Sequence, residues 1–185
     1  MKKIALLLTA TVVSASIFMG CGDASTNDSA STSVSTESQK SNSKFKEENG
    51  TMVYTDTENC PFEDCGLKIV IDSSKKDGKF TKTTKEGEES SDYYDFNYET
   101  NTVEKYYYVS AMGTAYYYTY DLEKGELVKV EGQNHEDKTE STKSSGRWDK
   151  SAEKVKTEVE QIEKYFEEQY GVSLKEACTD SNFGK

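Results

Sequence analysis

The chain has 185 residues, with 34 acidic against 23 basic side chains and a formal net charge of −11. A body that acidic repels nucleic acid and anionic headgroups, which excludes recognition driven by phosphate contacts. Thirteen tyrosines and a single proline, tryptophan and histidine complete the bias.

The first element is a leader. Lys2 and Lys3 precede an apolar run, Ile4 to Met19, which ends in Gly20-Cys21. A basic start, an apolar middle and a small residue at the cut are the parts of a secretory signal. The run is sixteen residues long and interrupted by Thr9, Thr11, Ser14 and Ser16. A spanning helix needs about twenty apolar residues.

Phe18-Met19-Gly20-Cys21 resembles the lipobox of bacterial lipoproteins. Gly20 and Cys21 match that pattern; Phe18 and Met19 stand where it prefers Leu and a small residue. The resemblance implies cleavage after residue 20, a diacylglyceryl group (fatty acylation of the palmitate type) on Cys21, and an extracytoplasmic position at the cell membrane. Two acyl chains hold stably where one is marginal. The mature chain keeps 165 residues, with 34 acidic and 21 basic side chains once Lys2 and Lys3 are gone, a net of −13.

Residues 21–44 read as a tether. Ser and Thr dominate, and beyond alanine Val34 is the only aliphatic residue between Asp23 and Lys44. Such a stretch cannot bury enough apolar area to offset its ordering entropy. Its root-mean-square reach is roughly 25–30 Å.

Residues 45–185 read as one domain. Strands are expected over residues 51–132. Leu67, Ile69 and Ile71 alternate with Lys68, Val70 and Asp72. Asp77-Gly78 suits a two-residue hairpin turn, followed by a strand through Phe80–Thr84. Tyr93–Glu99, Val103–Ser110, Thr114–Tyr120 and Glu126–Glu131 form a tyrosine-rich meander with short turns, so neighbours pair antiparallel.

A helix is expected over 151–170. Val155, Val159, Ile162, Phe166 and Tyr170 make one apolar stripe, Ser151 or Asp149 caps its start, and Gly171 ends it. Ser173 and Glu176 form a capping box for a short helix at 174–178. The expected fold class is α+β: an antiparallel tyrosine-rich meander of six or seven strands packed against one long C-terminal amphipathic helix.

Tyr106-Tyr107-Tyr108 and Tyr116-Tyr117-Tyr118 are consecutive runs. Adjacent side chains on a strand point to opposite faces, so each run puts tyrosine on both. The inner rings pack under the helix. The outer ones either stiffen the sheet as cross-strand pairs or form a binding surface, with Tyr106, Tyr108, Tyr117 and Trp148 as candidates. Trp148, just ahead of the helix, alternatively packs on its first turn.

Cys60 and Cys65 are the disulfide candidate; pairing of Cys178 with either is the alternative. The C-x4-C spacing with one distant cysteine lacks a fourth metal ligand, and no metal or other cofactor is expected. His135 reads as a solvated loop residue. No Gly-x-Ser-x-Gly elbow or glycine-rich phosphate loop occurs. Acids run from Glu86 through Glu104 without an intervening base. The expected function is a non-enzymatic, membrane-anchored binding module for a glycan, a peptide or an envelope protein. The alternatives are a half-barrel carrier of an apolar ligand with the helix as lid, and a small cell-wall glycosidase using paired carboxylates.

Overall fold

A computed structural model describes residues 44–185. The leader, the tether and Cys21 lie outside the described residues. The fold is α+β: one antiparallel sheet in which every strand pairs with its neighbours in sequence, covered on one face by helices.

The strands are β1 (Lys46–Glu48), β2 (Thr51–Asp56), β3 (Gly66–Asp72), β4 (Asp77–Thr83), β5 (Glu89–Asn97), β6 (Thr102–Val109), β7 (Thr114–Asp121) and β8 (Glu126–Gly132). Eight strands replace the expected six or seven because β1 hairpins back onto β2 through Asn49-Gly50, both at positive φ. The helices are α1 (Thr139–Ser144), α2 (Trp148–Tyr170) and α3 (Leu174–Thr179). The sequence reading did not include α1. A 3-10 turn, Ser110–Met112, joins β6 to β7.

Two local expectations are corrected. Asp77-Gly78 is not a turn but the start of β4, with Gly78 opposite Ile71. The turn is Ser73–Lys76. The Asp72 carboxylate nucleates it by accepting from the N–H groups of Ser74 and Lys75, and Lys76 takes φ +58°. Gly78 is instead needed for close packing: a Cβ there would sit 2.9 Å from Cys178 Sγ and 3.2 Å from Leu174. The second correction is the cap. α2 begins at Trp148 after Arg147, with no side-chain cap from Ser151 or Asp149, which lie inside the helix. The capping box at Ser173 and Glu176 is formed, and Gly171 closes α2 at φ +72°.

The core lies between the sheet and α2. The stripe Val155, Val159, Ile162, Phe166 and Tyr170 is buried, as expected from its spacing. It meets Leu67, Ile69 and Ile71 on β3, Phe80 on β4, Tyr94 and Phe96 on β5, and Val103 on β6. At the β1 end Phe45, Phe166, Tyr170 and Phe183 interlock, with centroid separations of 4.7 to 6.5 Å. Aromatic pairs of this kind add about 0.5–1.5 kcal/mol each beyond area burial. The volume beneath α2 is thus filled by large side chains, where a lid-type carrier would keep it open.

Among the described residues no helix is long and apolar enough to cross a membrane.

Candidate functional site

Strand parity divides the tyrosines. Tyr94, Tyr107, Tyr116, Tyr118 and Tyr120 share the helix-covered face with Val103 and Lys105, whereas Tyr93, Tyr106, Tyr108 and Tyr117 stand on the other face. No helix or strand among the described residues covers that outer face.

Register then makes a row of the outer tyrosines. Tyr93 pairs with Tyr106, and Tyr106 with Tyr117. The rings of Tyr93 and Tyr106 stack at 5.3 Å, with 8° between their planes. Tyr117 meets Tyr106 edge-on at 5.0 Å. Lys79 Nζ lies over the Tyr93 ring at 4.1 Å, on the β4 side. His135, from the loop after β8, stacks on Tyr117 at 4.2 Å. Its expected role as a free loop residue is therefore incomplete: it is exposed, yet it closes the row. That contact is sequence-remote, and only the folded loop, held by His135 N–H donating to the Gly132 carbonyl, reveals it. Tyr93 was likewise not singled out from sequence, because only the register places it beside Tyr106.

The packing decides what this row can do. Rings stacked against each other spend their faces on their neighbours and turn edges and hydroxyls outward. A flat ligand finds no open ring face at Tyr93 or Tyr106. Tyr108 differs. It sits two residues further along β6, 40% exposed, and makes no ring contact with any described residue. Its backbone N–H donates to Asp92 Oδ1 at 3.0 Å, which fixes the strand end that carries it.

One rung from the tyrosine row, Asp95 lies directly opposite Glu104. Glu104 accepts a hydrogen bond from the Tyr93 hydroxyl at 2.9 Å. Neither carboxylate has an ion-pair partner among the described residues. Partial burial raises the Asp95 pKa from its ordinary value; the Lys79 charge opposes this, and the Asp77 and Glu104 charges add to it. Burial, aided by the Asp72 charge, also raises Asp77. Of the nearby basic groups, Lys68 pairs with Glu89 at 2.6 Å and Lys129 with Glu131 at 2.8 Å, whereas Lys79 lies directly opposite Asp95 on β4 and offsets part of its charge. The outer face therefore offers hydrogen-bond acceptors and, at Glu104, a carboxylate without an ion-pair partner among the described residues, beside the part-exposed Tyr108 ring.

Trp148 is not part of this surface. It heads α2 on the other layer, half-packed against the core, with Lys143 Nζ 4.9 Å above its ring. Of the four binding candidates, the fold thus brings Tyr106, Tyr108 and Tyr117 together and separates Trp148. Grooves of about 430 and 460 Å³ also lie beside α2 rather than on the outer face; Glu163 and Tyr98 line the first, Cys60 and Tyr165 the second.

Two polar clusters on the inner face hold the layers together. Lys105 is almost fully buried and pairs with Glu158 of α2, ringed by Tyr94, Tyr107 and Tyr118 at 5.6 to 5.8 Å from its ammonium. Burial lowers the Lys105 pKa, and the Glu158 charge opposes that shift. Asp56, 1% exposed, accepts the Tyr165 hydroxyl at 2.8 Å and the N–H groups of Glu58 and Asn59 at 3.1 and 2.8 Å. Among the described residues no set of three His, Cys, Asp or Glu side chains converges in a metal-binding group.

Comparison with protein-family models, with curated proteins and with solved structures finds no match to this chain.

Proposed function

We propose that this chain is a membrane-tethered, extracytoplasmic, non-enzymatic binding module. In this reading its outer sheet face docks a basic, extended segment of a peptide or envelope protein. The tether reading rests on the resemblance of residues 1–21 to a lipoprotein signal. The docking reading rests on one observation: the free Tyr108 ring stands on the same strand face as the unpaired Glu104, with Asp95 alongside.

The chemistry selects the occupant. Edge-on rings are poor seats for sugar rings, so a peptide is favoured over a glycan. An exposed ring attracts an ammonium or guanidinium by roughly 0.5–1 kcal/mol, and Asp95 with Glu104 attracts a second cation. Glu104 and Tyr108 are four residues apart on one strand, about 14 Å at 3.4 Å per residue. An extended partner with basic side chains four residues apart matches that span. The facing Asp95 and Glu104 are also the geometry nearest to a carboxylate pair, but they stand on an open sheet rather than in a cleft that would hold a scissile bond.

The test uses a synthetic extended peptide with arginines four residues apart, a copy with glutamine in their place, and a soluble envelope glycan. Tyr108→Ala is the informative variant, because its ring makes no aromatic or cation contact with any described residue. Binding of the arginine peptide that weakens with salt, fails with glutamine and falls at least several-fold in Tyr108→Ala and Glu104→Gln supports the reading. Equal binding by the wild type and both variants, or binding of the glycan alone, overturns it.

A further inference from the structure

We propose that Cys60 and Cys65 are a modification site, joined as an intrachain disulfide in the mature protein, while Cys178 stays a buried free thiol. The inference stands on the geometry of the β2–β3 connection and not on the docking surface.

The two sulfurs lie 2.8 Å apart, across a six-residue loop. Bonding distance is about 2.05 Å, so closure needs less than an ångström of movement. The loop is built to keep them there. Its entry is fixed by Asp56, whose Oδ1 accepts from Glu58 and Asn59 and whose Oδ2 accepts from Tyr165 of α2. Its middle is fixed by Phe62, which stacks on Tyr94 at 5.6 Å and 17° with Lys82 Nζ 4.3 Å from its ring. Its exit is Gly66, the first residue of β3, paired with Thr83. Both ends and the centre are thus anchored to different elements, and the thiols face each other as a result.

Cys178 is set apart by the same packing. It is fully buried in α3 against Gly78 and Leu174. Full burial keeps oxidants from its sulfur, which lies apart from the facing Cys60 and Cys65 sulfurs, and it also pushes the thiol well above the ordinary range. The Cys60 thiol is also raised, to about 12, by burial and by its hydrogen bond with Cys65. The anchored loop marks the pair as a staple for the loop wall beside α2.

The step balances with a disulfide oxidant such as oxidised glutathione. Two S–H bonds break and one S–S bond forms; the two protons and two electrons pass to the oxidant, whose own S–S bond opens to two thiols.

The experiment equilibrates the purified full chain with mixed oxidised and reduced glutathione, quenches with acid, denatures and alkylates. Tryptic peptide 47–68 contains both cysteines, so mass spectrometry reads their state in one fragment. The expected result is a 47–68 peptide lacking two hydrogens and carrying no alkyl group or glutathione. Cys178 is expected to carry one alkyl group and no glutathione. Two alkyl groups on 47–68, glutathione on Cys60 or Cys65, or a link from either to Cys178 overturns the proposal.

Discussion

Asp95→Asn should stabilise the domain at neutral pH. Asp95 lies opposite Glu104, and like charges directly across an antiparallel pair are destabilising by roughly 0.2–1 kcal/mol. Burial adds to the penalty on the charged form, and Lys79 offsets part of it. The sign follows from proton linkage. The folded-state pKa is raised above the ordinary 3.8, so between the two values the unfolded chain has released its proton while the folded one still holds it. Stability therefore falls as pH rises through that window and stays lower above it. Asparagine removes the charge, so the gain is full at pH 7 and vanishes below pH 3.8. For a domain of this size, up to 1 kcal/mol is about 1–4 °C in Tm. Calorimetry at pH 7 and pH 3.5 reads it. Glu104→Gln relieves the same repulsion, so the double variant should gain less than the sum of the two. A neutral or destabilising Asp95→Asn at pH 7, or a gain that persists unchanged in acid, would refute the assignment of repulsion across this pair.

Glu158→Gln should cost about 3–5 kcal/mol in urea unfolding, because it strands the Lys105 ammonium in the core without its counter-charge. The double change Lys105→Met with Glu158→Leu should recover most of that loss; equal damage by single and double variants would show that packing rather than charge dominates. Gly78→Ala should lose about 1–3 kcal/mol from the clash with Cys178 Sγ, and Cys178→Ala in the same chain should restore part of it. Additive losses in that pair would disprove the contact.

The sequence carries the inner layer of this fold more clearly than the outer one. The α2 stripe from Val155 to Tyr170 and the Leu67–Ile71 alternation are periodic, and period is what a buried face imposes on a chain. The Ser173–Glu176 box is legible because both of its bonds are local. Asp77-Gly78 misled because a strand glycine kept for space beside Cys178 looks the same as a turn glycine; only α3 distinguishes them. Strand β1 is three exposed residues, Lys46–Glu48, too short and too polar to carry a pattern. At the candidate site, parity alone predicts that Tyr106 and Tyr108 share a face; that Tyr117 joins them depends on the β6–β7 register. That Tyr93 and His135 extend the row depends on register and on a loop reaching back from beyond β8, neither of which is local. The pairing of Asp95 with Glu104 is hidden for the same reason: along the chain they are two acids among many.

The two faces of the sheet divide stability from exposed chemistry. Inner tyrosines are held by the helix, and losing one opens the core. The outer row supports itself, ring on ring, so its edges and hydroxyls are presented on a rigid strip. A rigid strip lowers the ordering cost of binding, since the side chains a partner would meet are already immobilised. Within that strip the Tyr108 ring touches no other ring, and Asp95 and Glu104 face each other as like charges, with Glu104 also accepting the Tyr93 hydroxyl. Like charges held side by side on an uncovered face are where selection for binding rather than folding would act. The stabilising effect expected of Asp95→Asn and the binding loss expected of Tyr108→Ala are therefore two readings of one trade-off. If Asp95→Asn stabilises the domain and leaves peptide capture intact, the carboxylate serves neither role, and the docking surface contracts to Tyr108 and Glu104.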